Sequence, residues 1–110
     1  MNILTPILYV DEVEDYLKNG VRVEEVFKLS SEMLLSNTNN PDNLFEIFSL
    51  FYQYNMPVRE IQSWFVANAD FSVLEDIVNN EEKWEQIGLE PNGYVDRYLA
   101  WRSILHHDTR

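Results

Sequence analysis

The chain has 110 residues, enough for one domain to bury a core, and no cysteine, which excludes disulfides, zinc–thiolate sites and thiol chemistry. Apolar residues make up 45% and aromatic residues 14%, too much for a disordered tail, so a globular protein is expected. Nineteen acidic side chains against eight basic ones give a net charge of −11, which disfavours direct contact with a phosphate backbone.

Thr5-Pro6 predicts the start of a first helix, and Asn19-Gly20 predicts its end; Asp11 with Glu14 offers a second, capping-box start. The opening residues carry no basic n-region, and the apolar run meets Asp11 and Glu12 too early for a secretory signal. No segment approaches the roughly 18 apolar residues of a membrane span. A soluble, cytoplasmic protein is therefore expected, in the host cytoplasm if it is viral. Next, Val23, Val26, Phe27, Ser30, Met33 and Leu34 fall on one side of a second amphipathic helix. The run Ser36-Asn37-Thr38-Asn39-Asn40-Pro41-Asp42 is turn chemistry, with Asn40 or Asp42 able to cap a third helix.

The stretch from Leu44 to Phe65 holds seven of the fifteen aromatic residues, which marks it as central. At about 100° per residue, Leu44 to Asn55 leaves only Glu46, Ser49 and Gln53 in a narrow polar wedge. Asn55-Met56-Pro57 breaks this helix, and Val58, Ile61, Trp64 and Phe65 form the next stripe. Ser72-Val73-Leu74-Glu75 has the form of a capping box, followed by Ile77, Trp84 and Ile87 on one side, with Asn79-Asn80 as a point of division. Gly88 suits the end of that helix. Tyr94, Tyr98, Trp101 and Leu105 then line the inner face of a last one. The sequence shows no alternation of period two and no internal repeat. The expected fold is all-α, a single compact bundle of five or six short helices forming one domain over 1–110.

Catalytic chemistry finds little support, and no enzyme, cofactor or metal site is expected. The two histidines, His106 and His107, are adjacent and point about 100° apart on a helix, so they do not converge on one metal. Asp11-Glu12-Val13-Glu14-Asp15 lacks the alternating ligands and central glycine of a calcium loop and reads as a solvated helical face. Glycines at 20, 88 and 93 are too isolated for a phosphate-cradling loop. The apolar spacing from Leu44 to Phe65 allows a helix-turn-helix, but Arg59 is the only cation between Lys28 and Lys83, so a DNA-reading role is disfavoured.

Two functional surfaces remain. A helix apolar on nearly all sides can leave an aromatic patch for another protein, with Phe45 and Tyr52 on one flank and Leu50 and Tyr54 on the other. A homo-oligomer is compatible with the same patch. In a different class, Glu75, Asp76, Glu81, Glu82, Glu85, Glu90 and Asp96 can stand in for phosphates. The chain would then be an inhibitor that mimics nucleic acid and blocks the basic groove of a nuclease or polymerase.

Several landmarks, in order, are Asn2-Ile3-Leu4-Thr5, Leu50-Phe51-Tyr52 followed by Pro57, Trp64-Phe65, Asp70-Phe71, Gly88-Leu89 and Tyr98-Leu99-Ala100-Trp101-Arg102. Together they resemble a family of small siphophage tail-assembly chaperone proteins. The resemblance implies a non-enzymatic, all-helical protein that binds other phage proteins in the host cytoplasm.

Overall fold

Each apolar stripe folds as helix, and the described residues, 5–105 of a computed structural model, contain eight helices and no strand. They are α1 (Val10–Lys18), α2 (Val23–Leu29), α3 (Ser31–Leu35), α4 (Pro41–Gln53), α5 (Val58–Asn68), α6 (Phe71–Asn79), α7 (Glu81–Glu85) and α8 (Asn92–Leu105). The count exceeds the expected five or six because two expected helices are each interrupted. Ser30 breaks the second, at φ −90° and ψ 3°, with its buried hydroxyl donating to the Val26 carbonyl at 2.8 Å. Such back-bonding competes with the helical ladder and bends it. Asn80, at φ −132° and ψ 56°, separates α6 from α7, and its side-chain amide donates to Asp76.

Two expected starts are displaced. Thr5-Pro6 does not open a helix, because the Ile7 amide donates to the Leu29 carbonyl at 2.8 Å and draws Ile7 into the core. The Leu8 and Tyr9 amides then donate to the Glu12 carboxylate at 3.0 and 3.1 Å, so Glu12 rather than Glu14 organises the first turn of α1. Likewise α6 begins at Phe71 after Asp70, while Ser72 donates to the Asn39 carbonyl at 3.0 Å instead of capping. The Asp70 carboxylate accepts from the Thr38 hydroxyl, tying the polar 36–42 turn to the start of α6.

Asn40 caps α4 as expected, its side chain accepting from the Asn43 amide at 3.1 Å with Pro41 at the first helical position. At the other end Asn55 takes the left-handed conformation, φ 71°. The Met56 amide reaches back to the Phe51 carbonyl and the Asn55 amide to that of Tyr52, while Met56 and Phe51 are both buried. This is a Schellman closure with asparagine in the place glycine usually takes. Gly20, at φ 89°, closes α1 in the same way through Val21 on Tyr16. Gly88, at φ 85°, closes the turn after α7 through Leu89 on Trp84.

One hydrophobic cluster extends from Ile7 to Tyr98, and α4 runs through it with Leu44, Ile47, Phe48 and Phe51 buried. The Phe48 ring lies 4.8 Å from Phe65, 5.1 Å from Trp64 and 5.3 Å from Phe51 between ring centroids. Trp84 of α7 reaches both Phe65, at 5.4 Å, and Phe45, at 5.3 Å. The last helix packs mainly on α6, where Tyr98 stacks on Phe71 at 5.3 Å and Trp101 meets the same ring edge-on at 6.1 Å. Leu105, expected on the inner face, is instead 52% exposed. Trp101 already sits against Phe71, the first residue of α6, so α6 does not extend one turn further along α8 to cover Leu105.

Two substitutions check this packing. A Cβ on Gly88 would lie 2.6 Å from Val58 Cγ2. In Gly88→Ala the left-handed backbone costs about 1–2 kcal/mol and the overlap adds about 1–3 kcal/mol. Adding Val58→Ala should recover the overlap part alone, as read by chemical denaturation of the two singles and the double.

Tyr94 is buried with its hydroxyl unpartnered. Burial pushes its pKa from 10.0 up to about 12, against a smaller lowering by Arg97. Tyr94→Phe should therefore raise stability by about 1 kcal/mol at neutral pH. Because the folded pKa is raised, the stability tied to this phenol is complete below pH 10 and lost as pH rises through about 12. The phenylalanine variant should lose that component of the alkaline fall in thermal midpoint.

Candidate functional site

The helical register of α4 sets what faces its neighbours. With Leu44, Ile47, Phe48 and Phe51 turned into the core, Glu46, Ser49 and Gln53 face α1 across a groove of about 340 Å³. Phe45 and Leu50 border them, and α1 contributes Val10, Asp11 and Glu14 from the flank next to its buried Val13 and Leu17. The groove thus combines three apolar side chains, three carboxylates, a hydroxyl and an amide, and no lysine or arginine lines it. The Ser49 hydroxyl oxygen is shielded from solvent and makes no hydrogen bond among the described residues, although a helical serine commonly bonds the carbonyl one turn back.

Of the four aromatic or apolar residues expected to form a partner surface, Phe45 and Leu50 meet in this groove, and Tyr52 and Tyr54 lie outside it. Phe45 is half-buried, one side held edge-on by Trp84 with the Lys83 ammonium 5.2 Å from the ring centroid. Leu50 and Tyr54 are also half-buried, and Tyr52 is 41% exposed. The polar wedge of α4 is legible in the sequence, but its orientation toward α1 is not. That orientation depends on which side of α4 the remote Phe65 and Trp84 occupy.

The seven acidic residues differ in what they meet. Asp76 is turned inward, accepting from Lys83 Nζ at 2.9 Å and Trp84 Nε1 at 2.8 Å. Lys83 also reaches Asp42 of α4 at 3.5 Å, so this cation clasps α7 to both α6 and α4. Glu75 receives only a long bond, 3.4 Å, from the Tyr98 hydroxyl. Glu81, Glu85 and Glu90 surround a depression of about 190 Å³ beside Pro91 and Asn92, Glu81 and Glu82 border an adjoining one with Lys83, and Asp96 is exposed on α8.

Among the described residues no three histidine, cysteine or acidic side chains converge to hold a metal ion. His106 and His107 lie outside the described residues. No described helix is long and apolar enough to cross a membrane. The exposed side of α5, the second helix of the α4–α5 pair, presents Arg59, Glu60, Ser63, Val66 and Ala67, a single cation beside an acid.

The clasp on Asp76 gives a direct check. Asp76→Ala strands the buried Trp84 indole N–H and should cost about 1–3 kcal/mol, whereas Asp76→Asn keeps an acceptor and should cost less. Fluorescence of the three tryptophans followed through urea unfolding reads both variants. No protein-family model, curated protein or solved structure matches this chain.

Proposed function

We propose that the chain is a non-catalytic protein-binding module that docks its partner on the face of α4 turned toward α1. The observation that carries this is the incomplete covering of α4. Four of its residues fill the core, yet Phe45 and Leu50 still border an open groove, and Tyr52 and Tyr54 are partly exposed along the same helix. Half-covered aromatic and aliphatic side chains beside polar groups are the ordinary makings of a protein interface. The resemblance to siphophage tail-assembly chaperones supports the same class, a helical protein that holds other proteins during assembly in a host cytoplasm.

A nucleic-acid mimic is the weaker alternative. Asp76, one of its proposed phosphate stand-ins, is bonded to Lys83 and Trp84 and so is not free to meet a basic groove.

The test is capture of partner proteins from the native host by the parent chain and by Leu50→Ser and Tyr52→Ser variants. Both side chains are at least partly exposed, so circular dichroism should stay helical. Loss of a residue central to the interface should weaken capture by about 2 kcal/mol, roughly 30-fold. Undiminished capture by both variants would show that this face is not the site.

A further inference from the structure

We propose that the occupant of the α1–α4 groove is a short segment of another protein carrying an arginine flanked by aliphatic residues. This rests on the reading of the groove as the docking surface and adds the chemistry of what docks there.

Charge decides the sign of the occupant. Asp11, Glu14 and Glu46 line the groove without a cation among its lining residues. Lys18 is paired with Glu14 at 3.7 Å, but those side chains are 62% and 48% exposed. A pair so exposed is worth about 0–1 kcal/mol and yields readily to a better-placed cation. Gln53 also lines the groove and offers an amide oxygen that can accept from a guanidinium. An acidic segment would meet three like charges.

Shape and spacing decide which cation. A bare divalent ion needs carboxylates that converge, and none do so among the described residues. A guanidinium spreads five donors over a rigid planar fork and can serve carboxylates set apart from one another, which the compact ammonium of lysine does less well. The aliphatic stem of arginine, together with flanking leucines, fits against Val10, Phe45 and Leu50. A volume of about 340 Å³ holds a few side chains, so the partner contributes a short segment.

The probe is an uncharged Gly/Ser peptide containing Leu-Arg-Leu, titrated against the isotopically labelled full chain and read by amide chemical shifts. Shifts should concentrate at 10–14 and 45–53. Replacing the arginine by glutamine should weaken binding about tenfold or more, with lysine intermediate. The chain's net charge attracts any basic peptide, so two triple variants separate site from field. Asp11→Asn/Glu14→Gln/Glu46→Gln should remove the preference for arginine, and Glu81→Gln/Glu82→Gln/Glu85→Gln, with the same change in charge, should retain it. Equal effects of the two triples, or shifts centred away from the groove, overturn the proposal. Groove binding that is indifferent to arginine or glutamine removes the cation and leaves the docking surface standing. Absence of groove shifts together with undiminished partner capture by Leu50→Ser removes both. Concentration-dependent broadening of the free chain that links the groove to the exposed Leu99 and Ile104 of α8 would make a second copy the occupant, which also overturns it.

Discussion

The ring of Phe48 is the contact on which the arrangement depends. Phe51, Trp64 and Phe65 all lie within 5.3 Å of it between ring centroids, so one side chain of α4 fastens that helix to α5. Phe65 passes the contact on to Trp84 of α7, which returns to α4 at Phe45. Each aromatic pair adds about 0.5–1.5 kcal/mol beyond simple burial. The closed circuit Phe48, Phe65, Trp84, Phe45 thereby fixes the rotation of α4 about its axis. Once that rotation is set, Glu46, Ser49 and Gln53 can only face α1.

Short helices require sharp and reproducible turns, and this chain makes three of them with one device. Gly20, Asn55 and Gly88 each adopt positive φ and let the following amide reach back to a carbonyl of the preceding turn. At Gly88 the device has a second use. The missing Cβ lets Val58 approach, and Gln62 of α5 donates to the Gly88 carbonyl at 3.2 Å. The end of α7 is thus seated against α5, which holds Trp84 where the aromatic circuit needs it. Backbone geometry at one glycine and ring packing in the core are two parts of one constraint on α4.

Helical periodicity makes most of this legible. The stripes Val26-Ser30-Met33-Leu34 and Ile61-Trp64-Phe65 are buried where spacing places them, and Asn19-Gly20, Asn55-Met56-Pro57 and Gly88 end helices as their residue types require. The departures are tertiary in origin. Pro6 favours a helix start that would include Ile7, but the Ile7 amide is taken by Leu29, which is remote in sequence. Along the chain Lys83 is one cation in an acidic stretch, whereas in the fold it bonds Asp76 and reaches Asp42. Leu105 follows the inner stripe of α8, but α6 starts at Phe71 and offers it no partner. At the candidate site, Phe45 and Leu50 are legible as partly uncovered side chains. Their meeting across a polar wedge is not, since helical spacing along α4 does not say which neighbour covers which side.

The distribution of cations explains why the acidic excess acts locally. Among the described residues Lys83 is held between Asp76 and Asp42 with its ammonium 5.2 Å from the Phe45 ring, Arg22 lies 3.5 Å from Glu24, and Lys18 pairs with Glu14 at the α1–α4 groove. The carboxylates of Asp11, Glu14 and Glu46 line a groove whose apolar wall is Val10, Phe45 and Leu50. Such walls concentrate a field that open surface would let water and salt disperse. Glu82 and Asp96 are exposed to solvent and do not line the groove, so water and salt screen their charges directly. A small number of acids in a partly apolar groove can thus govern what approaches it more strongly than the larger number on the α6–α8 side.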